Sequence, residues 1–96
     1  MSTELIAQPL LSAALELHPQ VALRPEPFGA LAYHYGNRRL VFLKHADVVT
    51  VAQALADHPT LADALRACGI AERRWPSFAG AFQSLLQSDV VRERRP

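Results

Sequence analysis

The chain reads as a small α+β domain, a three-stranded antiparallel sheet followed by three helices. Three observations carry that reading. In "GALAYHYGNRRLVFLK", Gly29 to Lys44, two apolar runs meet at Gly36-Asn37, the pattern of a tight β-hairpin. Apolar residues then recur at helical spacing in three later segments. Finally, the 96 residues, half of them apolar and 20% charged, suffice for one modest core, so a multidomain enzyme is not expected.

The elements follow in order. Residues 1–17 form a loosely specified N-terminal segment, in which Thr3 is a candidate cap for a short helix that Pro9 interrupts or starts. The domain is expected over residues 18–92, with 93–96 as a solvated tail within the charged run "RERRP". In "VALRPEPFG" the alternation of Val21 and Leu23 marks the first strand, and Pro25 and Pro27 end it or confine it to a sheet edge. Leu31 to Tyr35 and Arg38 to Leu43 are the second and third strands, joined by Gly36-Asn37, a pair able to supply the positive φ of a two-residue turn.

That turn sets the register: Tyr35 opposite Arg38, Tyr33 opposite Leu40, Leu31 opposite Phe42. These residues make one large, aromatic face. The other face carries Ala30, Ala32 and His34 opposite Leu43, Val41 and Arg39, and is small and aliphatic except near the turn. A solvated hairpin needs only one apolar face, so the second one calls for a cover.

Asp47 is the candidate N-cap of the first helix, whose stripe is Val48, Val51, Ala52 and Leu55 and which Pro59 ends. "TLAD" is a capping box with Asp63 in place of the usual Glu; it opens a two-turn helix with Leu61, Ala64, Leu65 and Cys68 inward and Gly69 at the left-handed C-terminal position. The third helix runs from about Trp75 to Gln87, with Pro76 in its first turn and Trp75, Phe78, Ala79, Phe82, Leu85 and Leu86 on one face. Val90 and Val91 close the domain. These are the parts of a winged helix-turn-helix domain.

Several function classes lose support from composition. With ten Lys and Arg against nine Asp and Glu, the net charge of +1 exerts no general pull on nucleic acid or anionic lipid, so neither a nucleic acid nor a membrane is expected as partner. Cys68 is the only cysteine, which rules out an intramolecular disulfide and any thiolate zinc or iron–sulfur cluster within one chain and suits a reducing compartment. No Lys or Arg precedes Arg24, and Gln8-Pro9 splits the first apolar run, unlike a signal peptide, so a cytoplasmic protein is expected. The histidines at 18, 34, 45 and 58 show no i, i+4 or HExxH spacing, so each reads as structural or exposed, with no metal and no cofactor. No Ser-His-Asp order, phosphate-cradling loop or paired buried carboxylates emerge, and the chain is not expected to be an enzyme.

The stretches "HPQVALRPEPFGALAYHYGNRRLVFLK", "LADHPTLADAL" and "RRWPSFAGAFQSLLQSDVVR" resemble the mycofactocin biosynthesis peptide chaperones, the MftB family, within the PqqD-like chaperones also called RiPP recognition elements. The likeness spans about His18 to Arg92, and its distinctive part is "RPEPFGALAYHYGNRRLVFLK". It implies a non-catalytic adaptor that binds the leader of a ribosomally made precursor peptide and presents it to a partner radical S-adenosylmethionine (SAM) enzyme. It also implies that the leader adds as a strand beside the third strand, against the third helix, which would supply the missing cover.

On a two-residue turn, the backbone groups of Arg39, Val41 and Leu43 are expected to face the free edge as docking rungs, those of Arg38, Leu40 and Phe42 facing the second strand. Phe78 and Phe82 either touch the peptide or, like Leu31, Tyr33, Leu40 and Phe42, belong to the core. Trp75 is either a packing anchor or a groove wall. The pairs Arg38-Arg39 and Arg73-Arg74 form either a basic rim, suited to the acidic leader that the resemblance implies, or ordinary solvated surface. A DNA-binding winged helix is the alternative, and the third helix argues against it, since beyond Pro76 it offers mainly Gln83, Ser84 and Gln87 to base edges.

Overall fold

The computed structural model describes residues 10–94; the Thr3 cap and the role of Pro9 lie outside the described residues. Along the chain come β1 (Leu15–Leu17), β2 (Val21–Glu26), β3 (Gly29–His34), β4 (Leu40–Leu43), α1 (Ala46–Ala54) running into a 3-10 turn (Leu55–Asp57), α2 (Leu61–Ala67), a second 3-10 turn (Glu72–Arg74), α3 (Trp75–Gln87) and β5 (Val91–Glu93). The three expected strands are β2, β3 and β4, in that order in one antiparallel sheet, and the three helices follow. The α+β class is therefore as predicted.

A second, two-stranded sheet pairs β1 with β5, Leu15 opposite Glu93 and Leu17 opposite Val91. Residues 10–17 and 93–94, read from sequence as a loose segment and a solvated tail, thus belong to the fold: Leu10 and Leu15 are buried. Arg92 Nε donates to Glu16 Oε2 at 2.7 Å, and the Arg94 guanidinium donates to the carbonyls of Ala56, His58 and Pro59, closing the turn after α1. Strands of three residues are too short to show a two-residue period, and their pairing joins opposite ends of the chain.

The sheet covers its core with its small face. Ala30, Ala32 and Leu43 are at most 3% exposed, and Ala32 and Leu43 join one core cluster with Val51, Leu55, Leu61, Leu65, Phe82, Val90 and Val91. Alanines at the sheet centre let α1 come close to β3. The large face points outward: Leu40 is 62% and Phe42 46% exposed, and Leu31 and Tyr33 are half-buried. Assigning these four to the core is thus corrected, whereas Phe78 and Phe82 are buried.

The hairpin keeps the expected register, Tyr33 opposite Leu40 and Leu31 opposite Phe42, on a different turn. The His34 N–H donates to the Arg39 carbonyl at 3.0 Å, so four residues, 35–38, form the loop, and the positive φ falls on Arg38 (61°) instead of Gly36 and Asn37. The cause lies in side chains. His34 Nδ1 accepts from the Gly36 and Asn37 N–H groups at 3.0 and 3.2 Å, and Asn37 Oδ1 accepts from the Arg39 N–H at 2.9 Å, which satisfies the loop locally. Gly36 supplies room, since a Cβ there would strike Gln20 and His34.

Helix boundaries follow their caps with one exception. Thr60 Oγ1 accepts from the Asp63 N–H at 3.2 Å and donates to its carboxylate at 2.8 Å, and Gly69 ends the helix at φ 74°. Pro76 sits in the first turn of α3. Asp47 is not the N-cap of α1; His45 precedes the helix without a side-chain cap, and Asp47, inside the first turn, accepts from Arg74 Nη2 at 2.9 Å, where the helix dipole also favours its charge.

Candidate functional site: the edge of β4 and its groove

Antiparallel ladders alternate bonded and non-bonded pairs, so one hydrogen bond sets the phase of a whole strand. The Tyr35 N–H donates to Gln20 and the His34 N–H to Arg39. Odd-numbered residues of β3 therefore bond to β2 and even-numbered ones to β4, making His34–Arg39, Ala32–Val41 and Ala30–Leu43 the bonded pairs with β4. The Leu43 carbonyl accordingly lies where a Cβ on Gly29 would collide with it. The outward backbone groups of β4 are thus those of Leu40 and Phe42, which corrects the placement of Arg39, Val41 and Leu43 as edge rungs. A four-residue loop preserves the register of a two-residue one and inverts the bonding phase.

Among the described residues no strand lies beyond β4. The opposite edge is unsuited to strand addition: the same alternation turns the nitrogen of Pro25 outward on β2, where it has no hydrogen to donate. Of the two edges of this three-stranded sheet, β4 is the regular one among the described residues.

Beside that edge runs a groove between β4 and α3, about 450 Å³ and mainly apolar, lined by Val41, Leu43, His45, Val48, Ala81, Ser84, Leu85 and Ser88 together with Phe42 and Lys44. Past His45, Val48 and Ala81 it continues into a second hollow of about 410 Å³ bordered by Arg74, Ser77 and Phe78. The wall on α3 is a stripe of small residues, Ser77, Ala81, Ser84 and Ser88, recurring at helical spacing. That stripe was visible in the sequence, hidden beside the louder aromatic one.

The residues singled out from sequence divide. Side chains of Val41 and Leu43 line the groove. Phe78 forms its floor at the far end, with the Arg74 guanidinium 5.2 Å above its ring. Phe82 has no exposure and stands behind the wall as core. Trp75 is a packing anchor: it is buried, its Nε1 donates to the Ile70 carbonyl at 2.9 Å, and Arg66 lies over its ring at 5.1 Å. Of the four arginines, Arg74 borders the groove, while Arg38 and Arg39 are exposed at the hairpin loop and Arg73 in the 3-10 turn before α3. Lys44, His45 and Val48, which sequence reasoning did not place at the site, do border the groove.

A polar cluster braces the loop from below. His34, 4% exposed, directs Nε2 to Asp89 Oδ2 at 2.9 Å, and His18 Nε2 lies 3.6 Å from the same oxygen. The three have the spacing of metal ligands, but both Nδ1 atoms accept backbone N–H bonds, His18 from Gln20 and His34 from Gly36 and Asn37. The proton of each neutral ring is then on Nε2, the atom a cation would need, and metal-ligating histidines show the reverse arrangement. The cluster is structural. His34→Phe is expected to cost about 1–2 kcal/mol, read as a melting temperature roughly 5–10 °C lower by circular dichroism.

Cys68 is half-buried at the margin of the core, and burial pushes its thiol above the ordinary value, the opposite of nucleophile activation. No helix of the described residues is long and apolar enough to cross a membrane.

Comparison with known proteins covers nearly the same span as the described fold. The model of the peptide chaperone MftB family matches residues 14–92. Peptide chaperone MftB of Mycolicibacterium smegmatis is 51% identical over 75 residues, 78% of this chain and 74% of the relative. Peptide chaperone MftB of Mycobacterium tuberculosis is 44% identical over 79 residues, 82% and 72%, and that of Mycobacterium ulcerans 45% identical over 75 residues, 78% and 69%. These relatives are named as chaperones and not as enzymes. No solved structure matches the chain.

Proposed function

The chain belongs to the peptide chaperone MftB family, and from that premise we propose that it binds the leader of a ribosomally synthesised precursor, the mycofactocin precursor, as a fourth strand on β4 and delivers it to a radical SAM maturation enzyme. The open edge of β4 beside an apolar groove is the observation that carries this reading. An extended peptide there exchanges hydrogen bonds with the outward groups of Leu40 and Phe42. Its alternate side chains enter the groove among Val41, Leu43, Val48 and Leu85, and those between lie beside Leu40 and Phe42 on the outer sheet face. The small residues of α3 leave the room a strand needs.

Charge acts mainly on encounter. Lys44 and Arg74 at the groove, and Arg38, Arg39 and Arg73 farther off, give an acidic leader a favourable approach, an effect on association rate more than on dissociation. DNA recognition gains no support, because α3 carries no Lys or Arg from Trp75 to Gln87.

Holding substrate and enzyme together raises their effective concentration, and that is the whole catalytic benefit an adaptor confers. The test compares turnover of precursor by the radical SAM enzyme with and without this protein, using full-length and leaderless peptide. Stimulation confined to the full-length peptide is the expected result. Equal rates with and without the chaperone, or equal stimulation of the leaderless peptide, overturn the reading.

A further inference from the structure

The two hollows of the groove repeat one another along α3. Arg74, Ser77, Phe78 and Ala81 border the far one, and the residues seven positions on, Ala81, Ser84, Leu85 and Ser88, border the near one. Seven residues are two helical turns, so the hollows are centred about 10 Å apart. Ala81 is the residue of α3 that they share, and a side chain no larger than a methyl group leaves them continuous.

The edge of β4 decides how an added strand meets this spacing. Continuing the antiparallel order of the sheet, a leader exchanges backbone hydrogen bonds with Leu40 and Phe42. Val41 and Leu43 are then at the non-hydrogen-bonded positions, where opposed side chains approach most closely. Both border the near hollow, so the two leader residues facing them enter it and straddle its centre. The far hollow lies at the Leu43 end of β4, since His45 borders both hollows. An extended chain advances about 10 Å in three residues. The next residue on the groove side, two beyond the one facing Leu43 and three from the middle of the pair, therefore arrives at the far hollow.

We propose that the groove reads three large apolar side chains at alternate positions of the leader, two in the near hollow and one in the far one, and that Ala81 limits their size. The proposal rests on the adaptor reading above and adds to it the pattern by which a leader is chosen. The lining suits apolar occupants: Val41, Leu43, Val48 and Leu85 wall the near hollow, Val48 and Phe78 the far one, and the arginine at its rim, Arg74, is already paired with Asp47 at 2.9 Å. The leader residue facing Phe42 is recognised by its N–H alone, because its side chain points to the outer sheet face.

Titration calorimetry with a synthetic peptide of the precursor leader tests this. In an alanine scan of the peptide, three positions spaced two apart should each lose about tenfold in affinity. N-methylation should reverse the pattern within that stretch, costing about tenfold or more at the residue facing Phe42 and less than about threefold at those on either side. On the protein, Ala81→Leu should weaken binding of the parent leader about tenfold at an unchanged melting temperature, because position 81 is half-buried at the groove surface. Shortening the far-hollow residue of the leader to alanine should then cost less in Ala81→Leu than in the parent protein, a coupling that a merely structural change does not produce. Ser84→Leu, at an exposed site, gives the same readout for the near hollow should Ala81→Leu melt early. Sensitive leader positions spaced three and four apart, or unchanged leader affinity in both variants, overturn the proposal, and the adaptor reading stands so long as the parent protein binds the leader. A leader that does not bind the parent protein overturns both.

Discussion

Phe42→Pro is expected to weaken binding of the precursor leader about thirty- to hundredfold, roughly 2–3 kcal/mol, while the domain stays folded. The N–H of Phe42 points away from β3, because the bonded pairs of the hairpin are Ala32–Val41 and Ala30–Leu43. Proline there removes no bond within the sheet, and its ring occupies the space through which an added strand must approach. Phe42→Ala is the companion variant, since it removes the phenyl ring and keeps the N–H; it should retain most of the affinity. Val41→Pro behaves oppositely. Its N–H faces β3, so the substitution breaks a ladder bond and should lower stability by about 3 kcal/mol before any leader is added. Calorimetry on variants checked by circular dichroism separates the two. Equal leader affinity for Phe42→Pro and the parent removes the β4 edge from the binding site.

Phe82→Ala carries the largest expected effect on folding. The ring has no exposure and sits among Val51, Leu61, Leu65 and Val91 in one core cluster, so its loss should cost about 3–5 kcal/mol. Against a total of about 5–15 kcal/mol for a domain of this size, that lowers the melting temperature by more than roughly 15 °C. A residue that contacted the leader would instead lose affinity at nearly constant stability. Thermal melting decides between these: a variant that melts with the parent and binds the leader weakly would put Phe82 on the groove surface.

Much of the fold was legible because local rules agreed with the tertiary outcome. Apart from the half-buried Cys68 and Leu86, the apolar stripes of α1, α2 and α3 are the residues the core buries, the Thr60 cap and Gly69 terminus lie where their chemistry demands, and the hairpin register follows from a short loop between two apolar runs. The site was legible only in part. Val41 and Leu43 were singled out for their backbone groups and border the groove through their side chains instead, and the wall of α3 that faces them was not singled out, because Ser77, Ala81, Ser84 and Ser88 are small and polar or nearly featureless, and only the strand opposite gives their spacing a meaning.

Composition and spacing alone determined an α+β domain with one hairpin, three helices and no thiolate cluster, since these depend on residues near one another in sequence. Two things needed the third dimension. One is which face of the sheet the helices cover: both faces of the hairpin are apolar, and the choice fell to the small one because helices pack closely only over alanines, leaving Leu40 and Phe42 outside. The other is which backbone groups face the open edge. His34, held by Asp89 from beyond α3, draws the Gly36 and Asn37 N–H groups onto its ring and widens the loop from two residues to four. The pairing survives that change, while the direction of every hydrogen bond along β4 reverses, because register counts residues and bonding phase depends on where the loop closes.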